Sequence, residues 1–357
     1  MALLGSDFHS PSGSEFQSSF RHLKAVWDYL APMPCIIAST WSFGVAANAF
    51  AWPSLNGDGA LAAVEAVCRH ADLDPSVDSV GYGGLPDAEG KMSLDGAVML
   101  GPRAFGGVCG LQRHQHPASV GRLVMERTEH GLLCGEDADR FADAQGLPEA
   151  DLLAPEAQKT WQAWKDKPHQ RDDSRDGAAR IRPMDDGLGS GQLFGHDTIG
   201  TLALDAAGVL AAGCSTSGLA YKVPGRVGDS PIVGHGLYAV PGVGAATATG
   251  TGELISGICA SFVAVDTIRR GGSVVDAVAE VLSRADGLEG LESHHQVGVI
   301  VMAADGAICS GALRGGFKVA IHDGHGGRVA NPDQVARPDE DDLPESARDA
   351  MASGDQT

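Results

Sequence analysis

Thr198 opens a strand-like run, Thr-Ile-Gly-Thr-Leu-Ala-Leu-Asp, directly after a long polar, Gly-rich stretch. A hydroxyl in mid-chain is a poor nucleophile. If the Asp197–Thr198 bond were cut, Thr198 would carry its hydroxyl and a free α-amine together. An α-amine titrates near pH 7.7–8.0, so it can take the hydroxyl proton without a catalytic histidine. The cut can be self-made: Thr198 Oγ attacks the preceding carbonyl, and water hydrolyses the resulting ester. On local pattern alone, Thr198 reads equally as an ordinary β-branched strand residue. A second constellation lies downstream, in Gly225-Arg-Val-Gly-Asp-Ser-Pro231. Arg226 and Asp229 offer a guanidinium and a carboxylate three residues apart. By spacing alone they read as a surface ion pair.

Several elements must position these residues. Cys35-Ile-Ile-Ala reads as a short buried strand, and Asp58–His70 as an amphipathic helix that Asp58 can cap. The run GYGGLPDAEGKMSLDGAVML reads as two strand-like pieces around a turn. Helices follow at about Pro117–Thr128 and Glu136–Gln145. The pattern fails from Leu147 to Gly195 apart from a helical piece holding Trp161 and Trp164, which marks residues 147–197 as a linker or functional loop. Beyond Thr198, TIGTLALD and VLAAGCST form a hairpin across Ala206-Ala-Gly. Helices Gly252–Arg270 and Ser273–Ala285 come next, then strands QVGVIVMA and AICSGAL paired around Asp305-Gly306, with FKVAIHDG as a further strand. Residues 1–33, with a short helix near Phe20–Leu30, read as an extension, and about 332–357 as an acidic, solvated tail. Strands and helices in both halves predict layered packing.

Composition narrows the function classes. The net charge of −20, from 26 basic and 46 acidic side chains, repels phosphate backbones and anionic lipid, so nucleic acid is not an expected partner. No apolar run is long enough to span a membrane. The first 34 residues lack a secretory pattern, and none of the Asn residues (48, 56, 331) stands in a glycosylation sequon, which favours a cytoplasmic setting. The 7 cysteines form no CxxC and read as buried reduced thiols. His114, His116, His294 and His295 lack a second spaced pair, so no metal is expected, and Gly242-Val-Gly-Ala lacks the setting of a dinucleotide loop. No cofactor is implied.

Gly195-His-Asp-Thr-Ile-Gly200 resembles the cleavage site of the glycosylasparaginase family, N-terminal-nucleophile hydrolases of the asparaginase 2 type. The resemblance continues through Gly213-Cys-Ser-Thr-Ser-Gly218, Gly225–Pro231, Tyr238-Ala239 and Ala248-Thr-Gly-Thr-Gly-Glu253. Before the junction it includes Ser39-Thr-Trp41, Val80–Asp87, Leu94-Asp95 and His130–Glu136, so it covers about residues 35–320.

The resemblance implies an α+β fold, a four-layer αββα sandwich, cut into an α-chain (1–197) and a β-chain (198–357) that stay one folded unit and pair into dimers. It makes Thr198 the nucleophile and Thr216 the hydroxyl that orients it. Arg226 would bind the α-carboxylate of an aspartyl group and Asp229 its α-ammonium. The Thr249 side chain and Gly250 N–H would form the oxyanion hole, and Trp41 would shape the pocket; locally, Thr249-Gly250 reads as a helix entry and Trp41 as a core aromatic. His196 and Asp197 would serve cleavage. The implied substrate is N4-(β-N-acetylglucosaminyl)-L-asparagine. The sister isoaspartyl peptidases share GRVGDSP but usually carry Gly-Thr-Val-Gly at the junction, and a non-cleaving aspartyl-binding homologue is a third reading. Ser217 and Val240-Pro241 depart from the family's usual residues beside the pocket.

Overall fold

The computed structural model describes residues 33–166 and 198–338. The expected helix near Phe20–Leu30, residues His196 and Asp197, and the tail from 339 lie outside the described residues.

Among the described residues thirteen strands form two sheets. The larger contains β1 (Ile36–Thr40), β2 (Leu94–Gly101), β3 (Ala104–Leu111), β4 (Leu132–Cys134), β5 (Ile199–Leu204), β6 (Leu210–Thr216), β11 (Val319–His322) and β12 (Gly327–Ala330), in the order β12-β11-β1-β5-β6-β2-β3-β4. The smaller contains β7 (Leu237–Val240), β8 (Gly244–Gly250), β9 (Val297–Ala303), β10 (Ile308–Arg314) and β13 (Gln334–Arg337), in the order β13-β10-β9-β8-β7. The two predicted hairpins are present: β5 pairs antiparallel with β6, and β9 with β10.

Alternation along the strands feeds separate cores. Leu202, Ala212, Cys214 and Met99 pack against Leu237, Ala245, Ile300 and Met302 between the sheets. The opposite face of the large sheet, with Ile37, Val98, Ile199 and Ala211, meets α1 (Gly44–Gly57) and α2 (Ala60–Asp72). Beside them lie α3 (Pro117–Arg127), α4 (Gly135–Ala144) and α5 (Pro155–Lys165), with α3 and α4 packed on β2 and β3. The outer face of the small sheet, with Ala246, Val299 and Val301, meets α6 (Gly252–Ile258), α7 (Ala260–Arg269) and α8 (Val274–Asp286). The result is a mixed α/β fold of two sheets faced by helices.

Several expectations need correction. The helix read as continuous from Gly252 to Arg270 breaks at Cys259, whose φ of 52° lies in the left-handed region. Asp58 does not cap α2. Asp205, from the β5–β6 turn, accepts the Ala60 N–H at 3.1 Å instead. The segment from Leu147 is packed rather than a linker as far as Asp166. Leu152, Ala154 and Ala157 are buried, because they complete apolar clusters that α3, α4 and Leu85 leave open. Nor does a tail begin at 332: β13 adds to β10 in parallel. The first piece of GYGGLPDAEG is a 3-10 turn, not a strand, and α1, β3, β7 and β8 had no distinct local signal. All seven cysteines are free thiols, but Cys134 and Cys259 are exposed.

Candidate active site

The site lies where the C-terminal ends of β1, β6 and β8 meet the start of β5. The antiparallel register Ile199↔Ser215 and Ser39↔Thr201 sets Thr198 between Thr216 and Thr40. The facing sheet delivers Thr249 and Gly250 at the end of β8. Thr198 is 6% exposed, and its Oγ1 lies 3.0 Å from Ser230 Oγ. Its carbonyl oxygen accepts from Thr40 Oγ1 at 2.7 Å and from Thr249 Oγ1 at 3.3 Å. Thr40 Oγ1 in turn accepts the Gly200 N–H at 2.9 Å, which ties β1 to the start of β5.

Thr216 stands in the same pocket with its hydroxyl engaged elsewhere. It donates to the Ser79 carbonyl at 3.2 Å and accepts the Gly218 N–H at 2.9 Å. The hydroxyl touching Thr198 is therefore that of Ser230. Trp41 Nε1 donates to Thr249 Oγ1 at 3.1 Å, and its ring meets Phe317 edge-on at 5.1 Å. The Trp41 backbone has φ 64°, a conformation costly for a bulky residue, and such strain gathers at functional sites. Gly250 shows why glycine is needed there: φ is 119°, and a Cβ would come within 2.4 Å of the Gln296 carbonyl.

The local alternative for Arg226 and Asp229, a mutual surface ion pair, does not hold. Arg226 reaches forward to Glu253 in α6 with two parallel bonds, Nε and Nη2 each 2.9 Å from a carboxylate oxygen. Its Nη1 is turned toward Gly218 and Gly228. Asp229 is 3% exposed, and its Oδ2 has no hydrogen-bond partner. Burial pushes the Asp229 carboxyl up to about 7, while its own backbone N–H and the Arg226 charge oppose the shift only in part. An unpartnered buried carboxylate oxygen is an unfilled demand for a donor.

Thr198, Thr216, Arg226, Asp229, Ser230 and Gly250 line one cavity of about 10 Å³. That is room for about one water, against about 300–1,000 Å³ in typical small-molecule sites. A larger groove of about 500 Å³ between α7 and α8 carries none of these residues. Ser217, read as a departure beside the pocket, is buried, and its backbone N–H donates to the Ser79 carbonyl at 2.9 Å. Val240-Pro241 lies at the far end of β7.

Sequence reasoning missed Ser230, Thr40 and Glu253, although each stood inside a quoted run. Nothing local assigned them a partner. The histidines serve local bonds: His114 contacts Asp143 and the Pro148 carbonyl, His116 contacts Asp72, and the His294 and His295 rings lie 4.4 Å apart. Among the described residues no group of three metal-ligating side chains gathers, and no helix is long and apolar enough to cross a membrane.

A hydroxyl at a strand start, a guanidinium beside an open carboxylate and a left-handed glycine at a strand end suit hydrolysis of an amide on a charged amino-acid substrate. Comparison with known proteins agrees on the class. The profile of the family described as Asparaginase matches residues 37–329, and the chain belongs to that family. Within it, the chain is similar to the N(4)-(beta-N-acetylglucosaminyl)-L-asparaginase of Elizabethkingia miricola, 37% identical over 302 residues, 83% of this chain and 84% of that one. The Rattus norvegicus protein of the same name is 35% identical over 273 residues, 71% of this chain and 77% of its own. A putative Drosophila melanogaster counterpart is 35% identical over 317 residues, covering 81% and 79%.

Proposed function

We propose that this chain is an amidohydrolase that cuts its own Asp197–Thr198 bond and then hydrolyses N4-(β-N-acetylglucosaminyl)-L-asparagine. One observation carries the reading: Thr198, at the start of β5, and Arg226 with Asp229, on the loop after β6, line one pocket. The names of the relatives support the substrate. The two sheets faced by helices support a four-layer αββα sandwich of the N-terminal-nucleophile type, with residues 1–197 and 198–357 remaining one unit and two such units pairing as a dimer.

In maturation Thr198 Oγ1 adds to the Asp197 carbonyl carbon, the C–N bond breaks, and an ester forms while the amine is released. Water then cleaves the ester, leaving a carboxyl on residue 197 and a free amine on Thr198. Asp197 and His196 act on this step only.

In turnover the Thr198 α-amine accepts the hydroxyl proton as Oγ1 attacks the substrate side-chain amide. Arg226 takes the α-carboxylate on its Nη1 side, since Glu253 holds the Nε side, and Asp229 takes the α-ammonium through its open Oδ2. Thr249 Oγ1 and the Gly250 N–H stabilise the oxyanion, and Trp41 fixes the Thr249 hydroxyl by its 3.1 Å bond. Thr216, read as the hydroxyl that orients Thr198, lines the same pocket with its hydroxyl bonded to the Ser79 carbonyl and the Gly218 N–H, and Ser230 is the hydroxyl in reach of Thr198. The C–N bond breaks, the glycosylamine leaves with the proton, and water hydrolyses the β-aspartyl ester to release aspartate.

The test is kinetic. With purified, fragmented protein, kcat/KM for the glycosylated asparagine should exceed that for β-aspartyl dipeptides by at least about tenfold, roughly 1.4 kcal/mol of transition-state binding. A preference for the dipeptide would place the chain among isoaspartyl peptidases with Thr198 chemistry unchanged. Full-length protein with neither activity would favour a ligand-binding homologue.

A further inference from the structure

We propose that Trp164, near the end of α5, is a positioning residue for aspartyl binding: its ring clamps Tyr221 and so holds the loop that carries Arg226 and Asp229. The proposal rests on reading that pocket as the aspartyl site.

Ala157, Trp161 and Trp164 follow one another at i, i+4 and i+7, so in α5 they share one helix face. That face meets two segments. Trp164 lies flat on Tyr221, with ring centroids 4.3 Å apart and planes 16° from parallel. Trp161 covers the turn at Gly90, where a Cβ would come within 2.6 Å of the indole. Ala157, with Ala154 just before the helix, packs with Leu85, and Ala220 and Tyr221 close the same apolar cluster.

The two segments are also tied to each other. The Tyr221 N–H donates to the Pro86 carbonyl at 2.9 Å, and the Ala88 N–H to the Lys222 carbonyl at 3.0 Å. The two tryptophans therefore close over a single unit built from the turn after Leu85 and the loop after β6.

Tyr221 needs that closure. Its φ of 56° lies in the left-handed region, which a bulky residue keeps only where its surroundings hold it. The Pro86 bond holds the backbone, and the stack on Trp164 holds the side chain. The link to the pocket is short. Leu219 and Gly218, two and three residues before Tyr221, line the cavity together with Arg226 and Asp229. After Tyr221, the Arg226 N–H donates to the Val223 carbonyl at 2.9 Å, so one tight turn joins the clamp to the guanidinium. Relaxation of φ at Tyr221 would redirect the chain on both sides, moving the pocket wall and Arg226 against each other. Thr198 is set by the pairing of β5 with β1 and β6, outside the clamp.

The test uses mature protein with Trp164→Leu, Trp164→Phe, Tyr221→Leu and the double variant of the two leucine changes. Trp164→Leu keeps apolar bulk and removes the flat ring. It should raise KM and the inhibition constant for L-aspartate by about 3–10-fold, the scale of one aromatic pair, with kcat within about twofold. Trp164→Phe, which can still stack, should restore most of the affinity. The double variant should lose little more than the worse single, because both changes remove the same contact. Hydrogen exchange over residues 217–229 should quicken in Trp164→Leu and slow again in Trp164→Phe. A loss in kcat with KM unchanged, a Trp164→Phe protein as weak as Trp164→Leu, or losses that simply multiply would overturn the clamp. If Trp164→Leu does not accumulate, Tyr221→Leu compared with Tyr221→Phe decides on the same readouts. Wild-type protein that ignores L-aspartate would instead overturn the aspartyl reading, with the exchange result still deciding the clamp.

Discussion

Thr198 and Ser230 meet hydroxyl to hydroxyl, 3.0 Å apart across 32 residues of sequence. Ser230 is itself held, because its carbonyl accepts from the Cys214 thiol at 2.6 Å and it is 1% exposed. The contact limits where Thr198 Oγ1 can point. Ser230→Ala should therefore lower kcat by about 10–100-fold with KM little changed, the mark of lost orientation in the transition state. Ser230→Thr, which keeps the hydroxyl, should recover most of it. Steady-state kinetics on both variants checks this, and an unchanged kcat in Ser230→Ala would show that the contact is idle.

Thr198→Ala should leave a single full-length chain without amidase activity, since no hydroxyl remains for the N–O shift. Intact-mass analysis and N-terminal sequencing decide. Wild-type protein should yield a fragment beginning Thr-Ile-Gly-Thr, and a break elsewhere would contradict the assignment.

Asp229 predicts the pH dependence of binding. Its folded-state pKa of about 7 lies above an unfolded value of about 3.9. The protonated form is thus favoured by folding: that stability is fully present below about pH 3.9 and is lost as pH rises through about 7. Pairing with an ammonium needs the ionised form, so affinity for L-aspartate should rise between about pH 6 and 8. Asp229→Asn should bind weakly and lose that slope, leaving only the titration of the Thr198 amine near 7.7–8.0. Inhibition constants measured across this range provide the check.

Thr249 donates to the Thr198 carbonyl at 3.3 Å and is held by Trp41 at 3.1 Å. Thr249→Val keeps the shape and removes the donor, and should cost about 10²–10³ in kcat, the usual loss of an oxyanion donor. Trp41→Phe should cost less, because the Thr249 hydroxyl stays present and loses only its bond from the indole. Single-turnover rates on the two variants would separate them, and a larger loss in Trp41→Phe would argue that the indole acts on substrate directly.

Local sequence carried much of this protein. Period-two alternation in TIGTLALD and VLAAGCST marked β5 and β6, and Ser273 with Asp276 forms the capping box that starts α8. Thr198 after a polar stretch offered a hydroxyl that a chain cut would activate, whereas the Arg226–Asp229 spacing read locally as a surface ion pair and took its binding role from the resemblance. What local sequence could not decide were partners. Arg226 pairs with Glu253 rather than Asp229 because α6 presents Glu253 beside the loop. Asp205 rather than Asp58 caps α2, because the β5–β6 turn packs on that helix start. Thr40, Thr198 and Ser230 converge only once β1 and β5 pair and the loop after β6 folds back on them. Residues 147–154 lack a helical or strand period, yet Leu152 and Ala154 pack because neighbouring helices leave apolar surface uncovered. Propensity and period act over one or two turns of chain, whereas hydroxyl contacts and buried charges are set by sheet register and layer packing. The sequence determined which chemistry was available, and the tertiary structure decided which groups perform it together.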